Sequence, residues 1–132
     1  KHHAQEQVYE IYRAADICIV TSLHDGMNLV AKEFVAARDD EQGVLLLSRF
    51  AGAARELSEA LIVNPYHVEE TADALHRAAT MPAAEQRERM ASLRSTVREF
   101  NVFRWAGRML ADAGRWRLRA RIEARVRRSG RD

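Results

Sequence analysis

A short polar turn joins two apolar segments and holds the residues best suited to chemistry. Asp25 and Gly26 lie in this turn, and Asn28 opens the helical pattern that follows it. A strand that turns directly into a helix presents unpaired backbone N–H groups. Together with the helix dipole, these groups favour a phosphate or diphosphate just beyond the first helical turn. Because Gly26 has no side chain, a ligand can approach the backbone closely there.

Two carboxylates near the turn supply acceptors for hydroxyl groups. Asp25 lies at the mouth of the turn, and Glu33 is five residues beyond Asn28, within reach of a ribose diol. Backbone donors for phosphate and carboxylates for hydroxyls are the combination that a nucleotide sugar requires. The spacing alone leaves open a simpler alternative, in which Asn28 only caps the helix.

Four neighbouring residues each allow a structural and a functional interpretation. Lys32 either faces the phosphates or, as favoured here, is solvated on the outer face of the helix. Met27 either lines a sugar pocket or fills space against the sheet. His24 is favoured as an exposed turn histidine, because no nearby serine, cysteine or metal-ligand spacing suggests catalysis or a metal site. Gly52 either contacts a nucleotide or lets a helix pack closely on a strand.

The elements that position this turn alternate along the chain. Short apolar runs predict strands, the first with a pattern of burial on both faces and the second also buried, and apolar residues at helical spacing predict helices. The predicted strands are Asp16–Thr21, Val44–Ser48 and Leu61–Asn64. The predicted helices are a first one ending near Ala15, then Asn28–Arg38, Ala53–Ala60, Val68–Thr80, Ala83–Phe100 and the residues from Val102 onward.

Alternation with short turns predicts an α/β fold, with a partial Rossmann-like parallel sheet, helices on both faces and further helices at the carboxyl end. In such sheets ligands bind beyond the carboxyl ends of the strands. Three turns leave strands at that edge: Ser22–Gly26, Arg49–Gly52 and Asn64–His67.

Composition and charge are those of an ordinary globular protein. The 132 residues are 47% hydrophobic and 30% charged, and 21 basic against 19 acidic side chains leave a net charge of +2. This small excess gives no argument for nucleic acid. Arginines concentrate from Arg115 to Arg131, in a pattern that favours a solvated amphipathic helix over docking on an acidic partner or nucleic acid. Core or inter-domain packing is predicted for four aromatic residues, Phe100, Phe103, Trp105 and Trp116.

Three features predict a cytoplasmic protein with no membrane partner. No apolar run approaches the roughly 18 residues of a membrane span, and the first residues lack the order of a secretory signal. The single cysteine, Cys18, lies in an apolar run and is predicted to be a small buried hydrophobe in a reducing compartment.

The continuous block Asp25–Glu33 resembles the donor-binding motif of the trehalose-6-phosphate synthase family. Further matching blocks occur in the family's order and spacing: Tyr12–Asp16, Phe34–Ala37, Ser48–Ala54 and Asn64–Tyr66. The resemblance covers roughly the first hundred residues, which a chance motif match would not produce.

The resemblance implies a retaining glycosyltransferase of family 20 with the two-domain GT-B fold. In this family glucose moves from a nucleoside diphosphate to glucose 6-phosphate, without a metal or a cofactor. UDP-glucose is the favoured donor, although the sequence leaves the base open. The chain would form most of the donor half, with a nucleotide-sugar-binding region at 1–100, incomplete at its amino terminus, and a helical, arginine-rich extension at 101–132.

Carried over residue by residue, the motif assigns a role to each matching position. Asp25 is the catalytic-site residue and holds glucose hydroxyls, while Glu33 holds the ribose. The backbone of Leu29 and Val30 contacts the diphosphate. The sugar is contacted by the backbone of three residues, Gly26, Met27 and Asn28.

The chain departs from the family pattern at three positions. His24 stands where the family usually has arginine, which removes a positive charge near the acceptor phosphate. Arg49 replaces a residue that is more often acidic or an amide. His67 takes a helix-cap position where aspartate is frequent, so a weaker cap is predicted.

The resemblance also leaves functional alternatives open. The arginine and lysine that neutralise the diphosphate, and the acceptor-binding half that takes glucose 6-phosphate, would precede this segment. The chain alone is therefore expected to bind the donor weakly and not to catalyse transfer. A glucosylglycerol-phosphate synthase and a non-catalytic, regulatory nucleotide-sugar-binding module remain alternatives, and assembly into a homo-oligomer is left open.

Overall fold

The computed structural model describes residues 4–129. The described part contains α1 Gln5–Ala14, β1 Ile17–Val20, α2 Leu29–Ala37, β2 Val44–Ser48, a 3-10 helix at Gly52–Arg55, β3 Leu61–Val63, α3 Val68–Thr80, α4 Ala83–Glu99 and α5 Val102–Ser129. Contacts divide the chain into two units, Lys1–Arg98 and Glu99–Asp132. No helix among the described residues has both the length and the apolar character needed to cross a bilayer.

The three strands form one parallel sheet in the order β1-β2-β3. Ile17 pairs with Val44, and Leu46 pairs with Leu61, so each strand lies beside the next one along the chain. The carboxyl ends of all three strands therefore share one edge, and the turns that follow them lie there. The prediction of a parallel α/β sheet is confirmed.

The central strand β2 organises the hydrophobic core. All five of its residues are buried, and their side chains alternate between the two faces of the sheet. On one face Leu47 joins a cluster with Phe34 of α2 and Met90 of α4. On the other face Leu46 joins a cluster with Ala78 of α3. Helices thus cover both faces, as the sequence predicts.

The outer strands are less buried than the central strand, and β1 is less buried than the sequence predicts. Ile19 of β1 is 47% exposed, and Ile62 of β3 is 36% exposed. Both strands lie at the sides of the described sheet, and α3 packs on β2 and β3. Cys18 is half-buried, and this burial raises the pKa of its thiol to about 11. The apolar run of β1 predicted burial on both faces, which among the described strands only β2 has.

The helix predicted at Ala53–Ala60 is wrong in kind and in length. A 3-10 helix spans only Gly52–Arg55, and turns follow it. Leu57 is fully buried, and its N–H donates to the carbonyl of Ala53 at 2.9 Å. The connection between β2 and β3 is short, yet Leu57 within it has to reach the core. A 3-10 helix followed by turns places it there.

The predicted core packing of the four aromatic residues is wrong within their own unit. Phe103 is 82% exposed, and Trp105 and Trp116 are also exposed. The Arg104 guanidinium lies over the ring of Phe100, 4.6 Å from its centroid, and Phe100 itself follows the end of α4. Aromatic residue type alone did not show which helix face is covered. Inter-domain packing of these residues stays a prediction.

Arg38 is a buried cation that fastens α1 to the end of α2. Its guanidinium donates to the carbonyl oxygens of Arg13 and Ala15 at 2.7 Å and of Gln42 at 2.8 Å. It also pairs with the Asp40 carboxylate at 3.0 Å. Arg38 is 4% exposed, so these acceptors replace the water that its charge would otherwise require.

Replacing Arg38 with alanine should lower the free energy of unfolding by about 3 kcal/mol, because several half-buried carbonyl groups lose their donor. Urea denaturation measures this loss. Arg13→Ala is the matched control, because the ion pair of Arg13 with Asp39 is well exposed and contributes about 0.5 kcal/mol. Equal losses in the two variants would contradict the structural role of Arg38.

Candidate functional site

Asp25 closes the turn between β1 and α2, residues 22–28, which we call the Asp25 turn. Its Oδ1 accepts from the backbone N–H of Met27 at 3.1 Å and of Asn28 at 2.8 Å. Its Oδ2 accepts from the Asn28 side-chain amide at 2.8 Å. The Asn28 side chain, followed by these two N–H groups, holds the pKa of Asp25 below its usual range. Asp25 is therefore an ionised acceptor at neutral pH.

Asn28 caps α2 from an unusual backbone conformation. Its φ of 58° lies in the left-handed region, which asparagine tolerates better than most residues. Its Oδ1 accepts from the N–H of Ala31 at 2.9 Å, and the residue is 7% exposed. The interpretation of Asn28 as a helix cap is thus confirmed. Capping uses one helical N–H and leaves others for a ligand.

Two backbone donors at the start of α2 remain available. The N–H groups of Leu29 and Val30 have no acceptor within the part of the chain that the structure describes. Both residues are exposed at the edge where the strands end. The positive end of the helix dipole adds to the attraction of these donors for an anion. These are the positions that the family motif assigns to the diphosphate.

Gly52 brings the turn after β2 against the Asp25 turn. Its N–H donates to the carbonyl of Asp25 at 2.8 Å, and Asp25 forms a parallel bridge with Ala51. A Cβ at Gly52 would lie 2.0 Å from the carbonyl oxygen of Gly26. Glycine is therefore required because one turn touches the other, a reason that neither interpretation from the sequence gave.

Gly26 faces open space on the side where a Cβ would stand. Apart from Gly26 and its two chain neighbours, no heavy atom of the described residues lies within 4 Å of that point. The backbone φ of Gly26 is also outside the left-handed region, so an alanine there meets no strain. A ligand can therefore approach the backbone of Gly26 as the sequence suggested.

Glu33 lies on the side of α2 that faces α1. The Tyr12 hydroxyl donates to its Oε2 at 3.2 Å. Burial, and then the negative charge of Glu33, raise the pKa of Tyr12. Sequence reasoning assigned no role to Tyr12, because a contact between residues 21 positions apart on two helices leaves no local pattern.

The structure decides between interpretations for two neighbours of the site. Met27 is 59% exposed, so it does not fill space against the sheet. Lys32 pairs with Glu56 at 2.6 Å, and its side chain is 22% exposed. The favoured interpretation of Lys32 as a solvated residue is therefore wrong, since it ties α2 to the segment after the 3-10 helix. His24 is exposed, as expected.

The turns after β2 and β3 meet at the same edge of the sheet. The rings of Phe50 and Tyr66 pack edge to face, with centroids 5.7 Å apart. His67 caps α3, and its Nδ1 accepts from the N–H of Glu70 at 3.0 Å. The predicted cap position of His67 is confirmed, whereas its weakness relative to aspartate stays a prediction.

Met27, Leu29 and Val30 are exposed at the edge of the sheet where the strands end. One concave region is lined by Leu61, Asp73, Arg77 and Arg89, near the start of β3 and thus away from the Asp25 turn. Its two arginines share the Glu85 carboxylate. Within the described residues, no three His, Cys, Asp or Glu side chains lie close enough together to hold a metal ion.

The family profile of glycosyltransferase family 20 matches residues 1–115. The chain belongs to glycosyltransferase family 20. The trehalose-6-phosphate synthase of Klebsiella pneumoniae is 49% identical over 113 residues, which are 85% of this chain and 24% of that protein. The resemblance seen in the sequence is confirmed. This chain spans about a quarter of the length of that relative.

Two solved structures show the same fold with ligands. The E. coli protein bound with UDP-2-fluoro glucose superposes with a TM-score of 0.82 at 47% identity. The Burkholderia xenovorans trehalose-phosphate synthase in complex with glucose-6-phosphate gives 0.81 at 48% identity. Each comparison covers 85% of this chain and 25% of the other. The α/β fold expected of family 20 is thus confirmed.

Replacing Asn28 with glycine should raise the pKa of Asp25 toward its ordinary value. Glycine keeps the positive φ but removes the side-chain amide, the largest cause of the lowering. Carboxyl carbon NMR measures the pKa. The pKa of Glu85, lowered by Arg89 and Arg77, is an internal control that should not move.

The same change should alter the acid sensitivity of the fold. Because its folded pKa is depressed, Asp25 adds stability above its unfolded pKa of about 4, and this stability is lost as pH falls through the folded pKa. Asn28→Gly should therefore show a shallower loss of unfolding free energy below about pH 4. An unchanged Asp25 pKa would contradict the role given to Asn28.

Gly52→Ala should destabilise the protein by about 2 kcal/mol, because the new methyl group forces the two turns apart. Gly26→Ala is the matched control and should change stability by less than about 0.5 kcal/mol, since its methyl group enters open space. Thermal or urea unfolding measures both. A harmless Gly52→Ala would show that the two turns do not need their close contact.

Proposed function

We propose that this chain supplies the donor-binding surface of a retaining glycosyltransferase that makes trehalose 6-phosphate. In this reaction glucose passes from a nucleoside diphosphate, with UDP-glucose as the favoured donor, to glucose 6-phosphate. The observation that carries the proposal is the open pair of N–H groups at Leu29 and Val30, on a helix start at the carboxyl edge of the sheet. Relatives that cover this segment carry the name trehalose-6-phosphate synthase.

The diphosphate is proposed to sit against the start of α2. As the bond to glucose breaks, the leaving diphosphate gains negative charge. The N–H groups of Leu29 and Val30 are fixed by the capped helix, so they bind this developing charge without reorganising. The preference for the transition state over the bound donor is what accelerates transfer.

The glucose is proposed to lie against Asp25 and Gly26. Asp25 is ionised, and three donors from its own turn leave it capacity to accept from a sugar hydroxyl. The resemblance assigns sugar contacts to the backbone of Met27 and Asn28, but their N–H groups already donate to Asp25, so in this proposal these N–H groups orient that carboxylate. Gly26 supplies the open backbone surface on which the sugar ring rests.

The nucleoside is proposed to lie toward Glu33, which accepts from the ribose hydroxyls. The E. coli relative bound with UDP-2-fluoro glucose supports a uridine donor, and the B. xenovorans relative in complex with glucose-6-phosphate supports the acceptor. We propose that the acceptor binds to the remaining part of a family-length protein, and that transfer uses no metal or cofactor. In this proposal the helix start supplies part of the charge stabilisation, and the arginine and lysine that the family resemblance implies supply the rest from the remaining part of the protein.

Gly26→Ala tests the placement of the sugar. The variant should keep its stability, yet bind UDP-glucose at least about fivefold more weakly, because the methyl group occupies the approach of the glucose ring. Binding of UDP, which lacks the glucose, should change by less than about twofold. Amide NMR titration of the 132-residue chain measures both affinities, including weak ones, and reports shifts at Leu29 and Val30.

Gly114→Ala is the matched control, because this glycine also has open space beside it and lies in α5. It should affect neither ligand. Glu33→Ala should weaken binding of both UDP and UDP-glucose without unfolding the chain. If UDP causes no shifts at the start of α2 in the wild-type chain, the donor-site proposal is wrong.

A further inference from the structure

A tyrosine of α1 holds the carboxylate proposed to bind ribose. The Tyr12 hydroxyl donates to Glu33 Oε2 at 3.2 Å, while Glu33 Oε1 has no partner within the described residues. One oxygen of Glu33 is therefore fixed and the other remains free to accept. The donated hydrogen bond joins the helix before β1 to the helix after it.

The ring of Tyr12 is itself held in place by aromatic packing. It meets Phe34 edge to face, with centroids 6.3 Å apart, and Phe34 is fully buried beneath it. Tyr9 packs against it in the same manner at 6.4 Å. Such pairs restrict the orientation of the ring and so the position of its hydroxyl oxygen. The hydrogen-bond donor to Glu33 is therefore pre-organised.

Glu33 needs such a partner if it is to act as a defined acceptor. A glutamate on a helix surface samples several rotamers, and holding it in one of them costs conformational entropy. Helix side chains lean toward the helix N-terminus, which for α2 is the edge of the sheet with the Asp25 turn. The contact with Tyr12 selects a rotamer before any ligand arrives. Burial and the charge of Glu33 raise the pKa of Tyr12, so the hydroxyl remains a donor at neutral pH.

We infer that Tyr12 is a positioning residue for Glu33, and that the pair selects ligands that carry a ribose diol. This inference rests on the proposed function, because it concerns the nucleoside side of the same site. Tyr12 does not touch the ligand. It acts by presenting Glu33 Oε1 toward the two ribose hydroxyls.

The test compares UDP with 2′,3′-dideoxyuridine diphosphate, which lacks both ribose hydroxyls. Tyr12→Phe keeps the ring packing and removes only the hydroxyl donor. It should weaken binding of UDP about fivefold, the net effect of roughly one hydrogen bond, and leave binding of the dideoxy compound unchanged. Amide NMR titration of the 132-residue chain measures both affinities. The carboxyl carbon resonance of Glu33 should also shift in the variant without ligand.

Three further variants sharpen the test. Tyr9→Phe removes a hydroxyl from the same helix but keeps the ring that packs on Tyr12, so it should leave both affinities unchanged. Glu33→Gln should lower the affinity for UDP but not for the dideoxy compound. The double variant Tyr12→Phe, Glu33→Gln should bind UDP no more weakly than Glu33→Gln alone, since both changes remove the same interaction.

The outcomes separate this inference from the donor-site proposal. If Glu33→Gln weakens UDP binding and Tyr12→Phe does not, Tyr12 has no positioning role while the donor site stands. If Tyr12→Phe weakens both ligands equally, its effect is on the fold and the inference is overturned. If UDP leaves the start of α2 unperturbed in the wild-type chain, both proposals fail.

Discussion

The start of α2 has to satisfy some of its backbone N–H groups internally while leaving others open, and the site depends on this division. Asn28 Oδ1 takes the N–H of Ala31, and Asp25 takes the N–H of Asn28. The N–H groups of Leu29 and Val30 lie between these two. A helix start with no internal acceptors would fray, and one with every donor occupied could not bind an anion. Asp25 and Asn28 together cap the start of α2 and leave the N–H groups of Leu29 and Val30 open to an anion.

This arrangement is stable because it rests on a neighbouring turn and on a packed core. The Gly52 N–H holds the carbonyl of Asp25 from the turn after β2, so two strand ends fix one loop. Beneath them Phe34 of α2 packs on β2 in the main core cluster. Donors fixed in this way lose little energy in reorganising when charge develops on a ligand. The packed core and the contact with Gly52 thus hold the two exposed N–H groups of α2 in fixed positions.

The sequence allowed the strands, the parallel sheet and the helix start to be predicted because each has a local signal. The run Val44–Ser48 is apolar throughout, and the Asp25 turn combines a glycine with a helix-capping asparagine. The exposure of Ile19 was not predictable, because burial depends on which helix covers which strand. The roles of Arg38 and Gly52 were also missed, because both depend on contacts between residues far apart in the sequence. Their partners lie about 25 residues away, and no periodicity records a contact of that kind.

The helix pair α1 and α2 acts as a single support for the site, and its contacts differ along α2 in a way that suits ligand binding. At the end of α2, buried Arg38 binds the last carbonyl groups of α1 and the residue that follows it. In the second turn of α2, Glu33 meets Tyr12 through one hydrogen bond in a half-buried position. At the start of α2, the donors of Leu29 and Val30 meet no protein acceptor within the described residues. Contacts between α1 and α2 therefore decrease toward the start of α2, where the cap holds the helix and the exposed N–H groups stay open to a ligand. The buried charge of Arg38 thus stabilises the scaffold, whereas the exposed N–H groups of Leu29 and Val30 can bind a ligand. Leaving them open costs the fold little, because an exposed hydrogen bond contributes little to folding.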